Sequence, residues 1–415
     1  FVSTYIFPTL LKKKDNQIIF SKFDNKSKTG IELLIDNNNK INFIINKSKI
    51  NINEKLTSNK WFLIEAGYDY KKGIIFISSR KYDNNKNIVS YTNKKKFIKK
   101  NINFYNNSDL YLAAKNNIDN IKNFYNGKLD NLKIYADDKI LFNNKNKNIF
   151  IKFDFSRNIS NNKIIDESAN KLHGTLINNP SRGVVGFNWT EKARSWKNNP
   201  EAYTSIHFHE DDLTDCKWQT DFKFKIPNSI VSGIYAVKLF NKNNEYYIPF
   251  CVRPKINANK NKILFLLPTS SYLAYANNRI AIDVPETETV CGRLIEINDQ
   301  DLFLQENPQL GLSFYDVHKD GSPVFYSSKK RPIINFQPKT KGVLGGLGSN
   351  VWQFNADTHI LGWLNHFGYK FDVICDSDLH KEGDKILDNY RVLITGSHPE
   401  YYSSKMIKGI EKFKN

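Results

Sequence analysis

The sequence predicts a multidomain chain in which β-rich units come first and an incomplete doubly wound α/β domain comes last. Short apolar runs separated by Asn, Lys and Gly turns recur through residues 1–153, which is typical of a β sandwich. From Asn261 onward, wholly apolar strands alternate with amphipathic helical segments. That alternation is typical of a parallel sheet with helices between its strands.

We predict three domains from these patterns: a sandwich with a return strand and linker at 1–190, a small immunoglobulin-like β unit at 191–256, and the α/β domain at 257–415. Phe1 is not an initiator methionine, and three strands make a small α/β sheet. We therefore expect the true N-terminus to precede Phe1 and the last domain to be truncated at its C-terminal side.

Composition limits the classes of partner. The chain has 415 residues, is 40% hydrophobic and carries a formal charge of +19. Residues 1–150 hold 28 Lys and Arg against 13 Asp and Glu, which accounts for +15. The lysines there alternate with asparagines without an arginine–aromatic pattern, so we expect solvated surface and no nucleic-acid partner. No apolar run approaches the roughly 20 residues of a membrane span, so we expect no membrane partner.

Four cysteines without C-x-x-C spacing predict free thiols and a cytoplasmic location.

The first predicted domain contains six strand-like runs. They are Gln17–Phe20, Ile31–Ile35, Ile41–Ile45, Trp61–Tyr68, Gly73–Ser79 and Leu132–Tyr135. The Trp61–Tyr68 run (WFLIEAGY) and the stretch Asn126–Tyr135 (NGKLDNLKIY) resemble strands of the laminin-G/concanavalin-like jelly roll. That resemblance implies a jelly-roll sandwich. Such domains often bind sugars or calcium, but the sequence shows no acidic calcium cluster, so we expect a packing or assembly role.

Four segments predict the immunoglobulin-like unit: alternating runs at Thr204–His209 and Asp221–Ile226, and a hairpin of Gly233–Phe240 with Tyr246–Val252.

Two histidines stand out in that unit. On a strand, His207 and His209 point to the same side, and with Asp211 or Asp212 they could bind a metal. Alternatively, the histidines and the acidic turn satisfy each other at a domain interface. Because no closing fourth ligand follows at a defined spacing, we favour the second explanation.

The α/β domain is predicted from five elements: strands at Ile263–Leu267, Phe371–Cys375 and Arg391–Thr395, a helix at Trp352–Phe367, and a helix from Ser403 or Ser404 through Phe413. His398 and Glu400 follow the third strand and precede the last helix. Open α/β sheets bind their ligands at the carboxyl ends of their strands, so we expect the chemistry there.

Two other motifs fit established sites poorly. The glycines from Gly342 to Gly348 lack the Lys-Ser/Thr of a phosphate loop and the dinucleotide spacing, so a flexible loop leading into the Trp352 helix is expected. Ser397 and His398 could belong to a Ser/His/Asp triad. Adjacent residues seldom point at each other, however, which disfavours that interpretation.

Oxygen-bearing side chains follow the predicted strands at three places: Tyr272 with Tyr275, Tyr315, and His398 with Glu400. Phenolates and carboxylates are hard anionic ligands, which suit a trivalent ion such as Fe(III). A bound cation would in turn favour the ionised tyrosines. With 21 tyrosines in the chain, composition alone does not single these out.

Three longer segments carry a specific likeness: Ile206–Leu213 (IHFHEDDL), Pro268–Asn277 (PTSSYLAYAN) and Thr395–Ser403 (TGSHPEYYS). They closely resemble the large (β) subunit of N,N-dimethylformamidase and its relatives, and the likeness extends to Leu172–Gly174 and Gly186–Trp189. That family is an amidohydrolase whose mononuclear iron is held by two tyrosines and a glutamate.

The resemblance implies that Tyr275, Tyr315 and Glu400 bind a mononuclear Fe(III), with His398 as a catalytic residue beside it. Tyr272 is the rival of Tyr275 because both lie in one short segment. The resemblance also implies a small amide substrate such as N,N-dimethylformamide, a small accessory subunit and homo-oligomerisation. The family uses a further glutamate and an asparagine beyond the point where this sequence ends, so an incomplete active site is expected.

Two alternatives stay open at this point. The chain could be a non-catalytic scaffold that binds carbohydrate or a protein partner through its β units. It could also be a glutamine-amidotransferase-like α/β hydrolase, for which Cys375, at the end of a predicted strand, is the candidate nucleophile.

Overall fold

A computed structural model describes residues 1–11, 13–117, 120–136, 149–255, 260–344 and 351–414. The chain divides into two compact units: residues 1–212 with 318–322, and residues 213–317 with 323–415. None of the helices in the described ranges is long and apolar enough to cross a bilayer. The two units do not coincide with the predicted boundaries after residues 190 and 256.

The first unit is built from antiparallel strands. In chain order they are β1 (Val2–Pro8), β2 (Gln17–Asp24), β3 (Thr29–Ile35), β4 (Lys40–Ile45), β5 (Ser48–Lys55), β6 (Phe62–Asp69), β7 (Ile74–Tyr82), β8 (Ile88–Phe97), β9 (Tyr111–Leu112), β10 (Lys115–Asn117), β11 (Asn120–Lys122), β12 (Gly127–Tyr135), β13 (Ile149–Asp154), β14 (Lys163–Asp166), β15 (Gly174–Thr175), β16 (Ser181–Val184) and β17 (Ser205–Phe208). All six strand-like runs predicted for this region lie within, or within one residue of, these strands.

The strands form two main sheets around one apolar core. The larger sheet has the order β15-β14-β13-β12-β1-β6-β7-β8, with β17 beside β12 and β16 beside β17; the smaller has the order β5-β4-β3-β2-β9. Alternate residues of β1 are buried, as the period of a strand requires. Ile6 and Ile64 of the larger sheet share a core cluster with Phe20 and Leu33 of the smaller one.

Strand β17 corrects the predicted immunoglobulin-like unit at 191–256. It was predicted as part of that unit, but it pairs antiparallel with β12, with Phe208 opposite Gly127. Residues 221–226 form no strand, and their Phe222 and Phe224 side chains are exposed. Alternation tells which side chains face a core but not which sheet a strand joins, and this is why the sequence misassigned β17.

The second unit begins with a hairpin and continues with a parallel sheet and helices. Its elements are β18 (Gly233–Phe240), β19 (Glu245–Val252), β20 (Ile263–Leu267), α1 (Thr269–Ala274), α2 (Ile280–Asp283), α3 (Thr287–Cys291), α4 (Asp299–Glu306), α5 (Phe354–His366), β21 (Phe371–Cys375), α6 (Asp376–Glu382), β22 (Val392–Thr395) and α7 (Ser404–Lys414). The β18–β19 hairpin, the three parallel strands and the helices α5 and α7 confirm the predicted elements to within two residues. Gly345, Gly346 and Gly348 of the predicted glycine loop lie outside the described residues.

The parallel sheet has the order β21-β20-β22, and β20 is buried on both faces. Leu264 and Leu266 join one apolar cluster, whereas Phe265 and Leu267 join another. A strand buried on both faces must be apolar throughout, which explains the continuous run ILFLL.

Two buried polar side chains tie the loop after residue 310 to the segment after α1. The Arg331 guanidinium donates to the backbone carbonyls of Ala276 (2.8 Å), Gly311 (2.9 Å), Leu310 (3.3 Å) and Ser328 (2.7 Å). The Asp316 carboxylate accepts from the backbone N–H groups of Arg279 (2.8 Å) and Ser313 (2.7 Å). Tyr315 lies in this loop, next to Asp316, so these bonds hold the backbone that carries Tyr315.

We predict that Arg331→Met lowers the free energy of unfolding by about 3–5 kcal/mol, because several buried carbonyls lose a charged donor. Urea unfolding followed by circular dichroism measures the change. Lys330→Met is the matched control: Lys330 is exposed and its ion pair with Asp215 (3.3 Å) is exposed too, so it should cost less than about 1 kcal/mol. Equal stability of the two variants would contradict this role for Arg331.

A second stability prediction concerns Asp376, the first residue of α6. Its carboxylate accepts from the Ser270 backbone N–H at 2.9 Å. Burial raises the pKa of Asp376 from 3.8 to about 6, although the bonds from Ser270 oppose the rise. Because the folded-state pKa is raised, the ionised form costs stability. The cost is absent below about pH 3.8, grows up to about pH 6 and is constant above.

Asp376→Asn should therefore stabilise the protein by up to about 2–3 kcal/mol at neutral pH, with the gain vanishing near the unfolded-state pKa. Melting temperatures of variant and wild type, compared across this pH range, measure the effect. The control Asp388→Asn changes an exposed carboxylate and should alter stability by less than about 0.5 kcal/mol. A stability difference for Asp376→Asn that does not vary with pH would count against the assignment.

Candidate active site

The ends of two parallel strands bring Tyr275 and Glu400 to the same edge of the sheet. Strands β20 and β22 pair in parallel, so their carboxyl ends lie side by side. Tyr275 immediately follows α1, the helix after β20, and Glu400 lies five residues after β22. The Glu400 backbone N–H donates to Ser271 Oγ of α1 at 2.8 Å. The two segments are therefore joined directly at this edge.

Two phenols converge on the Glu400 carboxylate. Tyr275 Oη donates to Glu400 Oε2 at 3.0 Å, and Tyr315 Oη lies 2.9 Å from Oε1 and 3.0 Å from Oε2. We call Tyr275, Tyr315 and Glu400 the phenol–carboxylate cluster. These are the three residues that the sequence predicted as ligands, and their oxygens are close enough to contact one cation.

Aromatic rings surround the cluster. The rings of Tyr275 and Tyr315 stack with centroids 3.8 Å apart and an interplanar angle of 14°. Trp352 contacts Tyr275 edge-on at 5.9 Å and the His398 ring at 4.7 Å. His398 Nε2 lies 3.0 Å from Glu400 Oε2. The predicted catalytic histidine therefore contacts the predicted carboxylate ligand.

The electrostatics keep both phenols protonated when no cation is bound. Burial raises the pKa of Tyr275 to about 12, and the Glu400 carboxylate adds to the rise. Burial and the hydrogen bonds with Tyr275, Tyr401 and Glu400 raise the pKa of Tyr315 well above its usual value. Partial burial would raise the pKa of Glu400, but the hydrogen bonds from Tyr315, Tyr275 and His398 outweigh it and lower that pKa.

Tyr272, the rival of Tyr275, points elsewhere. Its buried hydroxyl donates to the Asp357 carboxylate of α5, and Asp357 Oδ1 also accepts from the Ser397 backbone N–H at 2.5 Å. Tyr272 thus links α1 to α5 instead of contacting Glu400. Ser397 contributes its backbone N–H and its side-chain hydroxyl to this link. A Ser/His/Asp triad needs the serine hydroxyl to bond a histidine, whereas this hydroxyl bonds a carboxylate.

Tyr401 is a member of the site that sequence reasoning missed. Its Oη lies 2.7 Å from Tyr315 Oη, and its ring contacts Phe314. It directly follows Glu400, but adjacency in sequence does not tell which way a side chain points. Trp352 was likewise predicted only as the start of a helix.

Cys375 does not have the properties of an activated nucleophile. The hydrogen bond with Cys251 and burial raise the pKa of the Cys375 thiol well above its usual value. A catalytic cysteine needs a lowered pKa, because the thiolate is the nucleophile. The glutamine-amidotransferase-like alternative therefore loses its candidate residue.

The second predicted cluster, around His207 and His209, lies within the first unit. His209 Nδ1 is 3.1 Å from Asp212 Oδ1, and His207 Nε2 is 3.1 Å from Asp320 Oδ2. Asp211 Oδ1 contacts His318 Nδ1 at 2.7 Å. Sequence reasoning missed His318 and Asp320, because more than 100 residues separate them from β17.

A cavity of about 60 Å³ lies beside the phenol–carboxylate cluster. Tyr275, Asn278, Trp352 and Phe354 are among the residues that line it. Its walls are thus partly aromatic and partly polar, as in sites that hold a small polar molecule.

Sequence comparisons with known proteins match this chain to one family. Residues 181–415 match the family described as N,N-dimethylformamidase beta subunit-like, C-terminal. The N,N-dimethylformamidase beta subunit of Alcaligenes sp is 40% identical over 292 residues, which are 67% of this chain and 38% of that protein. The subunit of the same name from Paracoccus aminophilus is 41% identical over 244 residues, 59% of this chain and 32% of that protein.

The chain thus spans about a third of the length of these relatives. A solved structure of a candidate carbohydrate binding protein from Bacteroides ovatus covers 42% of this chain and 50% of its own, at 14% identity and a TM-score of 0.30. That likeness is too low to carry an argument. The family match covers more than half of the chain and confirms the resemblance found in the sequence: this chain belongs to the N,N-dimethylformamidase beta subunit-like family.

Proposed function

We propose that the protein is an iron-dependent amidohydrolase that cleaves the C–N bond of a small N-substituted amide such as N,N-dimethylformamide. The observation that carries the proposal is the convergence of the Tyr275 and Tyr315 hydroxyls on the Glu400 carboxylate at 2.9–3.0 Å. The names of the relatives support an amide substrate.

The cluster fits a small trivalent cation. Oxygen ligands around a small octahedral ion lie about 3 Å from one another, close to the distances within the cluster. Two phenolates and one carboxylate would balance three positive charges. Without a cation, burial and the Glu400 carboxylate keep the phenols neutral; a cation reverses that preference. Tyr275, Tyr315 and Glu400 would hold the Fe(III).

A bound ferric ion supplies Lewis acidity, which polarises an amide carbonyl and lowers the pKa of water. The protein contributes orientation. If His398 Nε2–H donates to Glu400 Oε2, the other ring nitrogen is available to accept a proton from water or substrate. About a third of the His398 side chain is exposed, so solvent and a small substrate can reach it.

The cavity beside Tyr275 supports the size of the proposed substrate. At about 60 Å³ it holds a molecule of a few non-hydrogen atoms. Trp352 and Phe354 would contact alkyl groups on the amide nitrogen, and the Asn278 side chain offers a polar contact. Larger amides would require the cavity to open.

The proposal extends to the subunits, the location and the fold class of the protein. Because the relatives are named as beta subunits, we propose a partner subunit. From the family resemblance we also propose that this subunit is small and that the protein forms homo-oligomers. Free cysteines are compatible with the proposed cytoplasmic location. We also assign the first unit to the laminin-G-like jelly rolls and the second unit's parallel sheet to the doubly wound α/β class, in line with their strand orders.

The test is metal analysis and a visible spectrum of the full-length protein. We expect stoichiometric iron and visible absorption from ferric phenolate in the wild type. Glu400→Ala and Tyr315→Phe should each lose most of the iron, the visible band and the amide hydrolysis, because each removes an anionic ligand. Tyr326→Phe, which changes an exposed tyrosine, is the matched control and should retain all three.

Iron retained at full stoichiometry in Glu400→Ala would overturn the ligand assignment. A colourless, iron-free wild type that binds carbohydrate would instead favour the scaffold alternative. His398→Ala separates the roles within the site: it should retain iron but lose about 100-fold or more in the rate of amide hydrolysis.

A further inference from the structure

A compact group of histidines and aspartates, none of which belongs to the phenol–carboxylate cluster, lies in the first unit. His207 is on β17 and His209 follows it directly. Asp320 comes from the segment 318–322, where the His318 backbone N–H donates to the Ser322 carbonyl (2.9 Å) and Gly321 adopts a positive φ of 82°. This tight turn brings Asp320 against the two histidines. We call His207, His209 and Asp320 the histidine triad.

The ligand atoms of the triad meet in a small volume. Asp320 Oδ2 lies 3.1 Å from His207 Nε2 and 4.0 Å from His209 Nε2, and all three ligand atoms lie within 4.8 Å of one another. The side chains of these residues are only 1–8% exposed. Two imidazole nitrogens and one carboxylate oxygen at this spacing can contact one divalent ion.

The surrounding residues orient the triad as a ligand set. Asp212 Oδ1 lies 3.1 Å from His209 Nδ1, and Asp212 Oδ2 accepts from the His209 backbone N–H at 2.8 Å. A carboxylate that binds Nδ1–H fixes the tautomer in which the Nε2 lone pair faces the triad. Metal-binding histidines almost always have such an outer partner. The Ser322 hydroxyl donates to Asp320 Oδ1 at 2.6 Å and lies 2.9 Å from the same Nε2, a contact that a bound ion would replace.

Charge also favours a cation at this place. Three carboxylates, Asp211, Asp212 and Asp320, lie within hydrogen-bond distance of the three imidazoles of His318, His209 and His207. Lys128, paired with His207 across β12 and β17, supplies one positive charge near Asp320. Glu210, beside Asp211, pairs with Lys13 and Lys319, so four carboxylates face three lysines, and a cation would offset the excess negative charge.

We propose that His207 Nε2, His209 Nε2 and Asp320 Oδ2 form a second metal site, distinct from the phenol–carboxylate cluster, that binds a divalent transition ion of the Zn²⁺ type. Asp212 is its positioning residue, acting through His209. The site fixes the segment 318–322 to β17 and is structural, because its side chains are buried from substrate.

The opposing explanation is a set of three histidine–aspartate hydrogen bonds without an ion. In that case His207, His209 and His318 would each be satisfied by their own carboxylate, and zinc would have no effect on the protein. The two explanations predict different responses to added metal, so the experiment can decide between them.

The experiment uses the full-length protein after chelation, titrated with Zn²⁺ alone. Because zinc could also enter the phenol–carboxylate cluster, the titration is done in a Glu400→Ala background. We expect one zinc per chain and a zinc-dependent rise in melting temperature. Asp320→Asn should weaken zinc binding by about 100-fold or more while leaving iron content unchanged in the otherwise wild-type protein.

Asp212→Asn should keep the one-to-one stoichiometry but weaken zinc binding by about 10–100-fold, as expected for an outer partner. His366→Gln, at an exposed histidine of α5, is the matched control and should bind zinc like its parent. The melting temperature of each chelated variant shows whether it is folded. Absence of stoichiometric zinc in the parent, or equal zinc affinity in Asp320→Asn and its parent, would overturn the proposal.

Discussion

The candidate active site depends on the parallel pairing of β20 with β22. Leu264 lies opposite Leu393 and Leu266 opposite Thr395, so the two strands end at the same edge of the sheet. Tyr275 and Glu400 are 125 residues apart in the chain, and only this alignment brings both to that edge. The strand β20 is itself fixed by apolar clusters on both of its faces. Burial of four apolar residues, Leu264 to Leu267, thus determines where two polar side chains meet.

The second phenol reaches the site by a different physical route. Tyr315 lies in an irregular loop that contributes little to the apolar core, and its position depends on the buried polar ties made by Arg331 and Asp316. Arginine suits this role because its planar group offers five donors and cannot lose its charge. Burying a charged group costs free energy of desolvation, which its hydrogen bonds offset. Removing one partner leaves the other buried and unpaired, which destabilises the fold. The site is therefore held in place by the apolar packing of β20 and by the buried hydrogen bonds of Arg331 and Asp316.

Sequence reasoning succeeded where a local pattern determines a local structure. Ile263–Leu267 was predicted with its observed bounds because an uninterrupted apolar run between polar turns fits a buried parallel strand. It failed where the structure depends on pairing between segments far apart in the sequence, as in the pairing of β17 with β12. Tyr315 and Glu400 were identified through family resemblance, whereas Tyr401, Arg331, His318 and Asp320 were missed. Their roles depend on side-chain direction and on contacts across many residues, which periodicity does not encode.

The two clusters of potential ligands differ in both chemistry and access, and the difference matches the separate roles proposed for them. The phenol–carboxylate cluster offers hard oxygens, and the Glu400 side chain is 38% exposed beside a small cavity. A substrate can reach it, as Lewis-acid chemistry requires. The histidine triad offers two nitrogens and one oxygen, which suit a softer divalent ion, and it is almost completely buried. An ion there could hold the chain together but could not meet a substrate. Donor type and exposure therefore support the same division between the proposed catalytic metal and the proposed structural metal.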